Sequence, residues 1–229
     1  MSTYAIGDIH ACRKSFEQLL KKIKLKKNDT LVLLGDYTDR GPDAKGVFDL
    51  IFELKAKGYQ LHCLRGNHEQ ILLDATSGYP PAHRRLLSAG GQSTLASFGV
   101  PHAEQIDEKY LHFIMELPYY LEIGPYIFTH GGLNFAPENP LDATEDMLWA
   151  RYWYDKINYE WLGNRWIIHG HTPVPLLETE AQVADLKEGK GQVVNLDNGC
   201  VYPHKTHLGQ LTALNLERCA LISVANMDV

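Results

Sequence analysis

Leu31-Val32-Leu33-Leu34-Gly35-Asp36-Tyr37-Thr38-Asp39-Arg40-Gly41-Pro42 is the stretch on which the reading of this chain turns. Four apolar residues without alternation predict a short strand buried on both faces. Gly35 lets the chain turn sharply as it leaves that strand, and Gly41-Pro42 closes the loop with a rigid turn. Asp36, Asp39 and Arg40 are therefore expected on a loop at the carboxyl end of a core strand, where open α/β sheets gather their ligands. Taken alone, the stretch reads equally well as an acidic loop capping a helix, with Asp43 as N-cap and Asp39–Arg40 as a surface pair. The same device recurs four more times, and the recurrence weighs against that simpler reading.

Working outward, a first strand over 3–6 ends in Gly7-Asp8-Ile9-His10. Phe16, Leu19, Leu20 and Ile23 at helical spacing predict a helix over 13–23, and Val47, Leu50, Ile51 and Leu54 predict another over 43–57 that Gly58 ends. A strand over 60–64 delivers Arg65-Gly66-Asn67-His68-Glu69, with a helix expected to begin at Glu69. Between 76 and 99, Pro80-Pro81 is expected to break the chain, and 84–98 reads as helical pieces interrupted at Gly90-Gly91. Residues 111–117 are amphipathic and helical. A hairpin over 119–129, turning at Gly124-Pro125, delivers His130-Gly131-Gly132. Residues 133–164 carry Trp149, Tyr152, Trp153, Tyr154, Tyr159 and Trp161, an aromatic density expected mainly to serve packing. A strand over 166–168 ends in His169-Gly170-His171-Thr172, and short strands are expected at 192–196, 211–216 and 220–224. Alternating strand and helix followed by mostly strand predicts an α/β fold of two packed β-sheets flanked by helices. One domain over 1–229 is expected, with inserts at about 76–100 and 133–164.

Composition bounds the function. The chain has 229 residues, 45% hydrophobic and 22% charged, with a net charge of −6. It has no basic stripe, so nucleic-acid binding is not expected. An acidic chain can still handle anionic substrates when bound metals invert the local field. The four cysteines form no CxxC pair and read as buried thiols of a reducing compartment. No signal peptide is recognisable and no apolar run approaches the roughly 20 residues that span a bilayer, so a cytoplasmic protein without membrane association is expected.

Five strand ends thus present glycine beside ligand-type side chains: Asp8 and His10; Asp36, Asp39 and Arg40; Asn67 and His68; His130; His169 and His171. Each alone is weak evidence, since a histidine at a strand end is usually a hydrogen-bonded loop residue. Together they make a mixed oxygen and nitrogen donor set suited to Mn²⁺, Fe²⁺ or Zn²⁺. No cysteine belongs to the set, which excludes a structural zinc site. One carboxylate can bridge two ions about 3.5–4 Å apart, the separation typical of two-metal phosphate chemistry, where a coordinated water is acidified to a pKa of about 7. Arg40 adds a planar fork matched to phosphate oxygens.

Gly7-Asp8-Ile9-His10, Gly35-Asp36-Tyr37-Thr38-Asp39-Arg40-Gly41, Gly66-Asn67-His68-Glu69, His130-Gly131-Gly132 and Gly170-His171-Thr172 together resemble the calcineurin-like metallophosphoesterase superfamily. The fuller forms around Asp36 and Asn67 are similar to its phosphoprotein phosphatase branch, which holds serine/threonine phosphatases and symmetrical diadenosine tetraphosphatases. The resemblance implies one metal held by Asp8, His10 and Asp36, and a second held by Asp36, Asn67, His130 and His171. It implies His68 as general acid oriented by Asp39, and Arg40 as a phosphate ligand. Arg151 in Leu148-Trp149-Ala150-Arg151 resembles a second phosphate-binding arginine; His169 matches poorly and is expected behind the ligands. Residues 88–99 and 194–201 resemble segments of bacterial and phage phosphatases, whereas Pro203-His204-Lys205-Thr206-His207-Leu208 departs from the shorter turn of that group. The implied function is a two-metal phosphomonoesterase acting by a metal-bound hydroxide, with Mn²⁺ the expected ion and Fe or Zn the alternatives. A phosphoserine or phosphothreonine protein or peptide is the expected substrate, and the alternative is a symmetrical dinucleoside polyphosphate or other small phosphate ester. A catalytically silent scaffold is disfavoured because every ligand position is intact.

Overall fold

In the computed structural model, which describes residues 1–229, the decisive stretch enters as strand β2 (Thr30–Leu33), buried along its whole length. Its side chains alternate between two cores, as a strand's period of two requires. Leu31 and Leu33 face a large cluster with Phe16, Leu19, Val47, Phe48 and Ile51, whereas Val32 and the following Leu34 face Phe128, Ile168 and Val194. The first cluster lies under helices α1 (Arg13–Ile23) and α2 (Ala44–Ala56), and the second lies between two sheets. A strand covered on both faces has no polar side to present, which is why its sequence shows no alternation.

β2 pairs in parallel with β1 (Thr3–Ile6) on one side and β3 (Gln60–Cys63) on the other. Antiparallel strands β8 (Gln210–Asn215) and β9 (Ala220–Ala225) complete a five-stranded sheet in the order β3-β2-β1-β8-β9. The facing sheet has the order β4-β5-β6-β7, from β4 (Tyr120–Ile123), β5 (Tyr126–Thr129), β6 (Trp166–His169) and β7 (Val193–Asn195). Here too parallel pairing dominates: β5, β6 and the edge strand β7 run parallel. The α/β architecture of two packed sheets flanked by helices is therefore as the sequence implied.

Helix α3 (Asn67–Ala75) starts two residues earlier than expected, with Gly66 as its N-cap. Asn67 and His68 therefore stand on the first helical turn rather than on a loop. Pro80-Pro81 does not break the chain; it opens helix α4 (Pro80–Ser88), because the first helical turn has no use for the missing N–H. Helix α5 (Gln92–Phe98) follows after the Gly90-Gly91 interruption, and helix α6 (Glu108–Met115) precedes the hairpin. The aromatic segment forms two single-turn helices, α7 (Asp146–Trp149) and α8 (Tyr159–Leu162). Its Met147, Trp153 and Leu162 pack with Ile127 and Ile167 on the outer face of the second sheet. The sequence reading missed helix α9 (Leu176–Lys187) altogether. Its buried face is only Thr179, Val183 and Leu186, while Leu177 is 75% exposed, so the apolar stripe that announces a helix is thin. No helix is long and apolar enough to cross a membrane.

Candidate active site

The carboxyl ends of β1, β2 and β3 meet those of β5 and β6, and the loops are laced together by hydrogen bonds across the two sheets. Gly170 N donates to His130 O at 2.7 Å, the His171 amide donates to both Asp8 carboxylate oxygens at 3.1 Å, and His130 Nδ1 lies 2.9 Å from Leu34 O. Asp8, His10, Asp36, Asp39, Asn67, His68, His130 and His171 are all buried within this junction.

Asp36 sits at its centre and turns one oxygen to each side. Oδ1 accepts from the His68 amide at 3.1 Å and lies 3.3 Å from His130 Nε2. Oδ2 lies 3.5 Å from His10 Nε2. Burial pushes the Asp36 carboxyl up, but His130, His68, His10 and His171 together outweigh burial and hold it well below the ordinary carboxylate range.

On the Oδ1 side, His130 gives its Nδ1 proton to Leu34 O, which leaves Nε2 as a lone pair. That lone pair is 2.9 Å from Asn67 Oδ1, and His171 Nδ1 is 2.8 Å from the same oxygen. Burial lowers His130, and burial with the neighbouring His130 holds His171 down to about 2. Two oxygens and two imidazole nitrogens therefore converge here, a donor set that fits a dication. Asp36, His130 and His171 place their ligand atoms within 4.8 Å of one another.

On the Oδ2 side, His10 gives its Nδ1 proton to Thr38 O at 2.9 Å and aims Nε2 inward. The tight cluster here is His10, Asp36 and His68 rather than His10, Asp36 and Asp8. Asp8 stands slightly apart under the His171 amide, its carboxyl raised by burial and by the charges of Asp197 and Asp36. Asp8, Asp36 and Asp197, buried close enough for the latter two to raise the first, again make a field that cations neutralise. The donor set thus fits two divalent ions sharing Asp36.

His68 joins this cluster through Nε2, 3.9 Å from Asp36 Oδ2, and turns its other ring nitrogen outward. Its Nδ1 is 2.6 Å from Asp39 Oδ2, and burial, which lowers its pKa, is outweighed by Asp36 and Asp39, so the ring is raised overall. Asp39 is itself gripped by Thr94, whose hydroxyl donates to Oδ1 at 2.6 Å and accepts from the Asp39 amide at 2.8 Å. Arg40 reaches back with Nη1 2.5 Å from His10 Nε2 and Nη2 2.8 Å from His68 Nε2, while remaining exposed at the rim. Arg151, after α7, is exposed and donates to Thr172 Oγ1 at 2.9 Å. The Gly131 amide donates to Met147 O at 2.6 Å and so docks the aromatic segment beside His130.

Two residues that sequence reasoning gave no role hold the site together. Glu69 is fully buried, and its carboxylate accepts from the amides of Asp36 (2.8 Å), Gly66 (3.0 Å), Tyr37 (2.8 Å) and Thr38 (3.3 Å) and from the Thr38 hydroxyl (3.2 Å). Burial and the charge of Asp36 push Glu69 up to about 7, yet its partners are all donors, so the ionised form is the one that fits. Thr94 is the second. Both lie inside motifs already quoted, and the signal was their position three and two residues beyond Gly66 and Gln92. His169 faces away from the cluster: Nε2 meets the Tyr154 hydroxyl at 2.6 Å and Nδ1 meets Gly170 O at 3.0 Å.

The backbone carries the mark of a functional site. His10, Asp36, Asp39, Arg40 and His171 all adopt positive φ, at 44°, 54°, 69°, 71° and 72°. Such strain in non-glycine residues costs about 1–3 kcal/mol each and persists only where the surroundings enforce it.

Buried oxygen and nitrogen groups gathered round one aspartate and able to hold metal ions, beside an imidazole–carboxylate pair and two rim arginines, fit the class of metal-dependent phosphatases. The chain belongs to the calcineurin-like phosphoesterases, whose family profile matches residues 1–199. It is 28% identical to the asymmetrical bis(5'-nucleosyl)-tetraphosphatase PrpE of Oceanobacillus iheyensis, over 96% of this chain and 91% of that one. The enzyme of the same name from Geobacillus thermodenitrificans is 26% identical, over 96% and 92%. In fold, the chain is similar to a solved candidate diadenosine tetraphosphatase (TM-score 0.69, 23% identity, 100% of this chain and 95% of that one). It is also similar to a Saccharomyces cerevisiae protein serine/threonine phosphatase (TM-score 0.65, 17% identity, 100% and 80%). The chain is thus a metal-dependent phosphatase of a family that uses divalent ions.

Proposed function

We propose that the chain hydrolyses dinucleoside polyphosphates asymmetrically, releasing a nucleoside monophosphate. The observation that carries this reading is a cavity of about 460 Å³ beside Arg151, lined by Tyr152, Trp153, Tyr154, His169, Glu178 and Asn195. Its size is that of a small-molecule site. Its aromatic wall suits a nucleobase, and Glu178 and Asn195 offer polar partners for the base edge. A nucleoside seated there would carry its first phosphate to Arg151 and the metal ligands, so attack would fall on the phosphate next to the sugar. The names of the two bacterial relatives support the same reading.

In this proposal Asp8, His10 and Asp36 hold one ion, and Asp36, Asn67, His130 and His171 hold the other. Mn²⁺ is the proposed ion, given a donor set of oxygen and nitrogen only. The ions would supply an acidified water and charge neutralisation at the phosphoryl group. Arg40 and Arg151 bind its equatorial oxygens, and His68, held by Asp39, gives a proton to the departing oxygen. The four free cysteines accord with the reducing cytoplasm as its place of work.

A phosphoserine or phosphothreonine protein substrate is the second reading, favoured by the His68–Asp39 pair at 2.6 Å. An alkoxide leaving group needs such a proton donor, whereas a polyphosphate leaves more readily. The deciding experiment compares diadenosine tetraphosphate with phosphoserine and phosphothreonine peptides on Mn²⁺-reconstituted protein, with products resolved by chromatography. AMP and ATP at higher kcat/KM than any peptide is the expected result. Two ADP, or a peptide preferred tenfold or more (about 1.4 kcal/mol of transition-state binding), overturns the proposal.

A further inference from the structure

Residues 202–209 lead from the loop after Asn198 into β8, and the catalytic reading leaves them unused. They fold as two consecutive turns. Tyr202 N donates to Gly199 O at 2.8 Å, Lys205 N to Tyr202 O at 3.0 Å, Leu208 N to Lys205 O at 3.1 Å, and Gly209 N returns to Asn198 O at 3.1 Å. Gly209, at φ 87°, packs so closely on Pro203 that a Cβ there would come within 2.7 Å of its Cα. The turn is therefore a fixed shape rather than a loose loop.

That shape folds Lys205 back over its own turn. Lys205 Nζ lies 4.0 Å from the centroid of the Tyr202 ring, and Arg40 Cζ lies 5.6 Å from the same centroid. Arg40 is the residue that reaches His10 Nε2 and His68 Nε2. A single ring therefore links the catalytic junction to a second cation farther out. Lys205 has no acidic partner within ion-pair distance, its neighbours His204 and His207 are exposed, and no Asp or Glu occurs between Asp197 and Glu217. An unpaired cation held in place at the mouth of a phosphate site, on a segment without acids, has the chemistry of an anion subsite.

We propose that the Tyr202–Lys205 turn is the arm that binds the leaving polyphosphate, holding the phosphates beyond the one attacked. The direction follows from His68. The oxygen that receives its proton is the bridging oxygen that departs, and Arg40 lies 2.8 Å from His68 Nε2, so the departing chain runs past Arg40 towards Tyr202 and Lys205. The nucleoside of the attacked phosphate occupies the cavity beside Arg151, which neither Arg40, Tyr202 nor Lys205 lines. In the step, a water oxygen forms a bond to the first phosphorus and the bond from that phosphorus to the bridging oxygen breaks. Its electron pair stays with that oxygen, which leaves on the nucleoside triphosphate with the proton from His68; water's own proton passes to solvent. This inference rests on the dinucleotide reading, and its test is separable from it.

Inorganic tripolyphosphate and orthophosphate are measured as competitive inhibitors of 4-nitrophenyl phosphate hydrolysis, in the same excess of free Mn²⁺ for every variant so that chelation cancels between them. Wild type is expected to bind tripolyphosphate more tightly than orthophosphate. Lys205→Gln is expected to reduce that preference about fivefold, the equivalent of ~1 kcal/mol for one exposed charge, and Lys205→Arg to preserve it. A wild type without the preference, or a Lys205→Gln enzyme that keeps it, overturns the arm. If the preference depends on Lys205 while phosphopeptides prove the better substrates, the arm stands and the dinucleotide reading falls. If diadenosine tetraphosphate is preferred and Lys205→Gln changes nothing, the reverse holds.

Discussion

Glu69→Gln isolates what keeps the central loop in place, because it changes one buried carboxylate oxygen to an NH₂ at nearly constant volume. In the native protein one oxygen serves the amides of Asp36 and Gly66, at 2.8 and 3.0 Å, and the other serves the amides of Tyr37 and Thr38, at 2.8 and 3.3 Å. Whichever way the new amide is turned, its NH₂ faces one of these pairs, donor against donor. Two buried N–H groups then lose their acceptor, at about 1–3 kcal/mol each. The expected destabilisation is about 2–6 kcal/mol, a large part of the ~5–15 kcal/mol by which a typical protein is stable. At about 2–4 °C per kcal/mol for a chain of this size, thermal unfolding followed by circular dichroism should fall by about 5–20 °C. Affinity for Mn²⁺ should fall too, because Asp36, at φ 54°, relies on this clamp for its direction. Glu53→Gln, on an exposed helix face, is the control and should leave the transition where it is. A Glu69→Gln protein that melts within about 2 °C of wild type and binds metal normally would show that the loop is held by something other than Glu69.

Asp36→Asn should reduce Mn²⁺ stoichiometry at both positions, whereas Asp8→Asn should weaken mainly one. Chelator should abolish wild-type activity and Mn²⁺ restore it, and full activity in metal-stripped protein would contradict the two-ion reading. His68→Asn should lower turnover of alkyl phosphates far more than of nitrophenyl phosphate, within the 10²–10⁴ range of general acid catalysis. Thr94→Val should show a weaker bias of the same kind, since it only frees Asp39; equal losses on both substrates would make His68 a binding residue. Arg151→Ala should raise the Ki of free phosphate without altering metal content, and an unchanged Ki would remove Arg151 from the phosphate site.

Much of this was legible in the sequence because the sheets expose it. Strands buried on both faces announce themselves as unbroken apolar runs, and Leu31–Leu34 led directly to Asp36. The residues gathered at the junction were legible because each follows a strand within a few residues, even β3, which alternates and exposes Gln60 and His62. Helix α9 was not, since it buries Thr179 and exposes Leu177, and its pattern carries little period. Glu69 and Thr94 were named in motifs but not understood, because their partners are backbone amides and a carboxylate brought close only by folding. The rim was least legible. The second cation on the Tyr202 ring that Arg40 meets comes from Lys205, far along the chain from the motifs.

The glycines of the motifs turn out to do less turning than their sequence suggests. Gly35 does adopt positive φ, at 105°. Gly66 and Gly170 do not; they are required because a Cβ would come within 2.2 Å of Asp36 Oδ1 and 2.1 Å of Asp8 Oδ1. It is the neighbouring chemical residues, His10, Asp36, Asp39, Arg40 and His171, that take the left-handed conformation. Glycine here removes bulk so that a carboxylate can be packed against backbone, and the strain falls on the neighbouring residues of the site. At about 1–3 kcal/mol for each strained residue, the five together would rival the stability of the whole domain if nothing offset them. The offset is visible in Glu69, in the Thr94–Asp39 pair and in the His171–Asp8 contact, which fix strained residues from outside the loops that contain them. The site is therefore rigid before any substrate arrives. Selectivity between a nucleotide and a peptide is accordingly expected to reside in what surrounds it, the cavity beside Arg151 and the turn beside Arg40, rather than in movement of the ligands.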